Sequence, residues 1–131
     1  MPVKDTEAMI SGMDPVLDPG PFVFVTAQGP TDELMSAARA RYEEAEGTSL
    51  ILPLEVAAVQ GFDVSLPMAC VTLQVHSALD GVGLTAAVAT ALAAAGIPCN
   101  MVAAFHHDHA YVPADRADDA LNILKHVALS A

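Results

Sequence analysis

Two stretches of the sequence match each other when the chain is offset by 60 residues. Leu52-Pro53 then falls on Val112-Pro113, and Glu55 falls on Asp115. In both places a predicted strand leads into a proline and then an acidic residue, and both residue types favour the first turn of a helix. Each half also has a leading strand of its own. We therefore expect two related, β-rich halves that pack together.

The first half begins with a strand over Phe22–Thr26, a run of aromatic and β-branched residues. Residues 31–47 support two interpretations, because their apolar spacing favours one helix, whereas a short helical turn followed by a hairpin is the alternative. The offset matches Ala38–Leu52 to the predicted hairpin Met101–Val112, so we choose the hairpin here as well. A short helix over Leu54–Gln60 closes this half.

The second half has the order strand, helix, strand, strand, helix. The predicted elements are Met68–Val75, Val82–Ala95, Ile97–Phe105, Ala110–Pro113 and Asp115–Leu129. A helical crossover joins parallel strands, and a short turn joins the antiparallel pair that follows. This order predicts a ferredoxin-like α+β sandwich with helices on one face of the sheet, built from two βαββα-type halves.

These elements divide the chain into three parts. Residues 1–20 contain two glycines and three prolines among scattered acids, and we expect them to be poorly structured. Residues 21–66 form the N-terminal half, and residues 67–131 form the C-terminal half.

The predicted helix Val82–Ala95 contains no charged residue. A helix without a charged, solvated face has to be covered on most of its sides. Either the sheet and a neighbouring helix cover it, or a second subunit does.

The charge balance excludes two classes of partner. Asp and Glu number 16 against 5 Lys and Arg, which gives a formal net charge of −11. Such a surface repels phosphate backbones and anionic lipids, so we expect neither nucleic-acid nor membrane binding.

The two cysteines, Cys70 and Cys99, lie in apolar, strand-like runs and form no CxxC motif. Reduced, buried thiols are the expected state, and no cofactor is predicted. The sequence also lacks an apolar span of membrane length and the apolar block of a signal peptide, so we expect a cytoplasmic protein.

The run Leu73–Ala86 (LQVHSALDGVGLTA), taken with Gly96–Asn100 and His107–Pro113, resembles a family of small bacterial ACT-domain proteins of unassigned function. Glu46–Pro53 resembles the N-terminal half of the same family. The resemblance covers about residues 20–128, and the family is similar to the regulatory domains of aspartate kinase. It implies paired ACT-like units that form homodimers and act as a regulatory module for a small-molecule ligand, an amino acid.

In ACT domains the amino acid lies where the first strand turns into the first helix, which is the loop His76–Leu84 in this chain. ACT domains often have proline before the loop glycine, whereas this chain has Asp80 before Gly81. The predicted ligand-binding residues are His76, Ser77, Leu79, Asp80, Gly81, Val82, Gly83, Leu84 and Asn100.

The residue types in this loop suit a zwitterion. Gly81 and Gly83 let a ligand approach the backbone, and the free N–H groups at a helix start favour a carboxylate. Asp80 could bind an ammonium group. In the alternative interpretation, Ser77 or Asp80 caps the helix and the glycines form a tight turn, so that the loop binds nothing. Asn100 either supplies a side-chain amide to the ligand or has a structural role in a turn or at the edge of the sheet.

The run His106-His107-Asp108-His109 combines ordinary metal ligands, and His76 could approach it from its own strand end. The run coincides with the predicted hairpin turn, however, and no further spaced cluster completes a site. We predict no metal ligand and no catalytic residue here, and hence no enzyme. Two alternatives to the ligand-binding module stay open: a structural, oligomerising protein without a ligand, and a histidine-dependent metal protein.

Overall fold

A computed structural model describes residues 2–76 and 78–131. In chain order, the elements are α1 (Thr6–Ser11), β1 (Val16–Leu17), β2 (Phe22–Ala27), α2 (Asp32–Ala37), β3 (Ala40–Glu44), β4 (Gly47–Pro53), α3 (Leu54–Val59), β5 (Met68–Thr72), α4 (Leu84–Ala94), β6 (Asn100–Ala103), β7 (Asp108–Pro113), a short 3₁₀ helix (Ala114–Arg116) and α5 (Ala117–Ser130). They form two compact units, Gly20–Met68 and Met1–Pro19 with Ala69–Ala131.

The unit Gly20–Met68 has the strand order β3-β4-β2, with antiparallel pairing throughout. The pairing of Ala40 with Ile51 and of Glu44 with Gly47 confirms the predicted hairpin. Helix α2 is short, because after Ala37 the backbone of Ala38 becomes extended. The Thr31 hydroxyl caps α2 by accepting the Leu34 N–H at 3.1 Å. A small core lies beneath α2 and α3, formed by Val23, Leu34, Leu50, Leu52 and Ala57.

The other unit has the strand order β1-β5-β7-β6. β7 pairs antiparallel with β6 and lies between β5 and β6, so the two strands joined by the α4 crossover are not direct neighbours. This split arrangement is the one expected of a ferredoxin-like sheet. The buried core includes Val71 of β5 and Leu73 directly after it, Val88 and Leu92 of α4, and Leu124 of α5.

The two halves repeat the order β-α-β-β-α, and their backbones agree where the sequences match. Pro53 has φ −53° and ψ 136°, and Pro113 has φ −54° and ψ 136°. A helix begins directly after each proline. The offset noticed in the sequence therefore corresponds to a structural repeat.

Residues 2–19 contain more structure than the sequence predicted. Helix α1 begins after Asp5, whose side chain accepts the Ala8 N–H at 2.9 Å. Met9 and Met13 are buried in the core of the unit. A six-residue helix has too few turns for a clear apolar period, and it is stabilised by these tertiary contacts.

Helix α4 packs against α1 and α5 and buries Leu84, Val88 and Leu92. Neighbouring helices of the same unit thus cover part of the uncharged surface of α4. This agrees with the first of the two alternatives, cover from within the chain. Ala86, Thr90 and Ala93 remain exposed on the opposite side. In the described part of the chain no helix combines the length and the apolar character needed to cross a membrane.

Candidate functional site

The candidate site is the loop between β5 and α4. The backbone is strained at Gln74, near the start of this loop. Its φ of 55° is a left-handed conformation that costs a non-glycine residue about 1–3 kcal/mol. The N-terminal segment then hydrogen-bonds to the loop: the Val3 N–H donates to the His76 carbonyl at 2.8 Å, and the Ala78 N–H donates to the Val3 carbonyl at 2.9 Å. Ser77, one of the predicted site residues, lies outside the described residues.

Helix α1 approaches both loop glycines closely. A Cβ atom on Gly81 would lie 3.0 Å from the Met9 sulfur, and a Cβ atom on Gly83 would lie 2.6 Å from the Thr6 methyl carbon. The Thr6 hydroxyl also donates a hydrogen bond to the Val82 carbonyl. The sequence predicted that a ligand approaches the backbone at these two glycines. In the structure, the side chains of Thr6 and Met9 make this approach instead.

The amino end of α4 has no side-chain cap among the described residues. The cap position is Gly83, which has φ 105° and ψ −18°. Asp80 is therefore not the helix cap that the alternative interpretation allowed. The first-turn N–H groups and the positive end of the helix dipole point out of the helix at the loop, which is an arrangement that favours a carboxylate or phosphate.

Asp80 lies on the surface and pairs with Lys4, whose Nζ is 2.9 Å from Oδ2. The hydrogen bond from Lys4 and its positive charge lower the pKa of the Asp80 carboxyl below its usual range. Asp80 is therefore a stable negative charge close to the amino end of α4.

The turn between β6 and β7 reaches the same loop. The His76 ring lies 6.0 Å from the ring of Phe105 and 5.4 Å from that of His106, between centroids. The approach of His76 to the histidine-rich run is thus confirmed. Phe105 is exposed, as are Leu79 and Val82 in the loop. Asn100 is also exposed, at the opposite end of β6 from this turn.

A second polar cluster lies in the same unit, and sequence reasoning missed it. Thr72 Oγ1 lies 2.9 Å from Oδ1 and 3.0 Å from Oδ2 of Asp18, and 2.9 Å from Nδ1 of His109. The Cys70 sulfur lies 3.9 Å from the same histidine nitrogen. Burial raises the pKa of the Cys70 thiol to about 11.

This cluster could not be predicted from the sequence for two reasons. The predicted turn included His109, whereas β7 already begins at Asp108, so His109 belongs to the sheet. β1, which places Asp18, was not predicted as a partner of β5. The alternation of Cys70 and Thr72 along one strand face is the signal that could have indicated it.

The paired βαββα units, with a helix that begins after a glycine loop in the second unit, are the architecture of an ACT-type protein. ACT domain models match residues 65–126 and residues 2–69, and the chain belongs to the ACT domain family. ACT domains are generally regulatory modules that bind small molecules, and they are not catalytic.

Solved structures agree with this assignment. A protein of unknown function from Vibrio cholerae, described as a possible transport protein, is 39% identical, with a TM-score of 0.83 over 93% of this chain and 94% of that one. A protein from Agrobacterium tumefaciens is 15% identical, with a TM-score of 0.68 over 88% and 89% of the two chains. The ligand-free regulatory subunit of aspartate kinase from Thermus thermophilus is 12% identical, with a TM-score of 0.59 over 86% and 95%. No curated protein sequence gives a significant match.

Proposed function

We propose that this protein is a regulatory module that binds a free amino acid at the loop His76–Leu84. The observation that carries the proposal is the amino end of α4, which no described side chain caps, with the ionised Asp80 in the loop that leads into it. We also infer a cytoplasmic location, because a module of this kind would act where free amino acids and the enzymes that use them occur.

The ligand carboxylate would accept hydrogen bonds from the first-turn N–H groups of α4, where the helix dipole adds favourable electrostatic energy. The ligand ammonium would bind Asp80 in place of Lys4. The Lys4 and Asp80 side chains are 68% and 72% exposed, and exposed ion pairs of this kind contribute little to stability. Replacing Lys4 by the ligand ammonium as the partner of Asp80 therefore costs little free energy.

The exposed apolar side chains around the loop, Leu79, Val82 and Phe105, suit an amino acid with an apolar side chain. Strain at Gln74 also supports a functional loop, because strained backbone concentrates at binding sites.

The experiment is a thermal-shift screen of the full chain against the twenty amino acids at millimolar concentration, followed by calorimetry for any that raise the melting temperature. A ligand present at 100 times its Kd stabilises the folded state by about 2.7 kcal/mol. Asp80→Asn should weaken binding at least about tenfold, because it removes the charge that holds the ammonium.

The matched control is Asp119→Asn, which removes an exposed ion pair of similar length, 3.1 Å to Arg116, away from the loop. Absence of a shift with every amino acid would contradict the proposal. So would equal loss of binding in the two variants.

A second function is favoured by one observation. Thr6 and Met9 already fill the space next to Gly83 and Gly81. If the loop only anchors α1, the protein is an assembly module without a ligand, and its oligomer forms equally well with and without amino acids.

ACT domains generally oligomerise, and we infer that this chain forms a homodimer. The uncharged, partly exposed helix α4 supports this inference, because its exposed residues carry no charge to be desolvated in an interface.

A further inference from the structure

We propose that Asp18, Cys70 and His109 form a binding site for one divalent transition-metal ion, Zn²⁺ in particular, with Thr72 as the residue that positions Asp18. This site is separate from the proposed amino-acid site, and it rests on different elements of the same unit.

Three neighbouring strands bring the ligand atoms together. Cys70 and Thr72 project from the same face of β5, because alternate residues of a strand share a face. β1 pairs with β5 through Val16 and Thr72, and the Asp18 N–H then donates to the Cys70 carbonyl at 2.9 Å. His109 comes from β7. Backbone hydrogen bonds thus fix the positions from which the three side chains extend.

The distances suit a small cation. One ligand atom from each of Asp18, Cys70 and His109 can be chosen so that all lie within 4.8 Å of one another. With Zn–S of about 2.3 Å and Zn–N of about 2.0 Å, a tetrahedral site separates sulfur and nitrogen by about 3.5 Å. The separation of the Cys70 sulfur and His109 Nδ1 is 3.9 Å. On binding, the sulfur and the nitrogen would move closer by about 0.4 Å, and the Asp18 carboxylate would turn toward them.

The ligand types select the metal. A thiolate, an imidazole and a carboxylate form a set that Zn²⁺ prefers, whereas Mg²⁺ and Ca²⁺ prefer oxygen ligands alone. Three protein ligands leave a fourth position for water. On binding, the S–H bond of Cys70 is replaced by an S–Zn bond, and the thiol proton passes to solvent.

Thr72 has a defined place in this exchange. Without metal its hydroxyl contacts both Asp18 and His109 Nδ1. A metal ion on Nδ1 replaces the second contact, and the hydroxyl is then left to donate to Asp18. Such outer hydrogen bonds orient ligating carboxylates, and their loss commonly weakens metal affinity by about 10–100-fold.

The test uses the full chain after treatment with a chelator. Titration with Co²⁺, followed by absorption, should saturate at one equivalent and show a thiolate-to-cobalt charge-transfer band; Zn²⁺ should displace the cobalt. Cys70→Ser should abolish the band. His109→Gln and Asp18→Asn should weaken Zn²⁺ binding at least about tenfold, and Thr72→Val about 10–100-fold.

The chain offers matched controls. Cys99→Ser changes the other free cysteine, and His126→Gln changes an exposed histidine on α5. Both variants should bind cobalt as the unaltered chain does. Circular dichroism without metal establishes that each variant is folded.

A measurement without substitutions covers the case in which Cys70→Ser does not fold. X-ray absorption at the zinc edge of the loaded, unaltered protein should show one sulfur neighbour together with nitrogen and oxygen neighbours. Zinc without a sulfur neighbour, cobalt without the charge-transfer band, or equal loss of the band in Cys99→Ser would overturn the proposal. The cluster would then be a hydrogen-bonded tie between β1 and the sheet.

Discussion

Gly83 is subject to two constraints at once. Its φ of 105° is a conformation that residues with a side chain disfavour, and a Cβ atom added to it would lie 2.6 Å from the Thr6 methyl carbon. Gly83 is therefore the residue at which the loop turns into α4, and it is also the point where Thr6 of α1 packs against the loop.

Replacing Gly83 by alanine should destabilise the protein by about 1–3 kcal/mol through backbone strain. The clash with Thr6 should add a further loss of stability. Denaturant unfolding measures the change. Gly61→Ala is the control, because Gly61 has φ 82° and no atom of the described residues lies within 4 Å of the added Cβ. Thr6→Ala in the Gly83→Ala background should recover the part due to the clash; equal destabilisation by Gly83→Ala and Gly61→Ala would show that α1 does not lie against the loop.

Asp80 provides a prediction about protonation. Removing the Lys4 charge by Lys4→Ala should raise the pKa of Asp80 toward its ordinary range, since Lys4 is the main cause of its lowering. The ion pair stabilises the fold above the ordinary carboxyl pKa, and this contribution is lost as the pH falls through the lowered value. A carbon-detected NMR titration measures the pKa directly.

Asp63 is an internal reference for that titration. Its pKa is also lowered, but by hydrogen bonds from Ser65 rather than by a lysine. It should not change in Lys4→Ala. A shift of both carboxyl groups, or of neither, would be inconsistent with a Lys4–Asp80 pair.

At the scale of elements, the sequence predicted most strands and helices, because the repeat linked uncertain segments to clear ones. The hairpin β3–β4 is the best example, since apolar spacing alone favoured a helix there and the match to the second half decided correctly. α1 could not be predicted in this way: it has no counterpart in the repeat, and its stability comes from burying Met9 against distant residues. The Asp18 cluster was missed for the same reason, because it depends on where β1 pairs.

Helix α4 carries a prediction about assembly. Ala93 is exposed in its last turn, where a lysine complements the helix dipole and leaves the fold intact. If α4 forms the dimer interface, Ala93→Lys should convert the dimer into a monomer, because the interface would bury an unpaired charge. Light scattering after gel filtration measures the mass.

Asn122→Lys, on the exposed side of α5, is the matched control and should leave the dimer unchanged. A protein that is monomeric before substitution would contradict the homodimer. A dimer that survives Ala93→Lys would place the interface elsewhere.

At the scale of the whole molecule, two ACT-type units with the same order of elements carry very different connections between the first strand and the first helix. In the first unit β2 ends at Ala27 and α2 begins at Asp32, whereas in the second β5 ends at Thr72 and α4 begins at Leu84. The short connection has little backbone with which to surround a ligand. The long one includes the strained Gln74, Asp80 and both loop glycines.

This inequality has an evolutionary consequence. When a gene segment is duplicated within one chain, each copy is released from duties that the other still performs. If the long connection binds a ligand as proposed, then the second half has kept the role in recognition and the first half has kept only the architecture. Related chains should therefore tolerate exchange of residues 28–31 far more readily than exchange of the segment before α4.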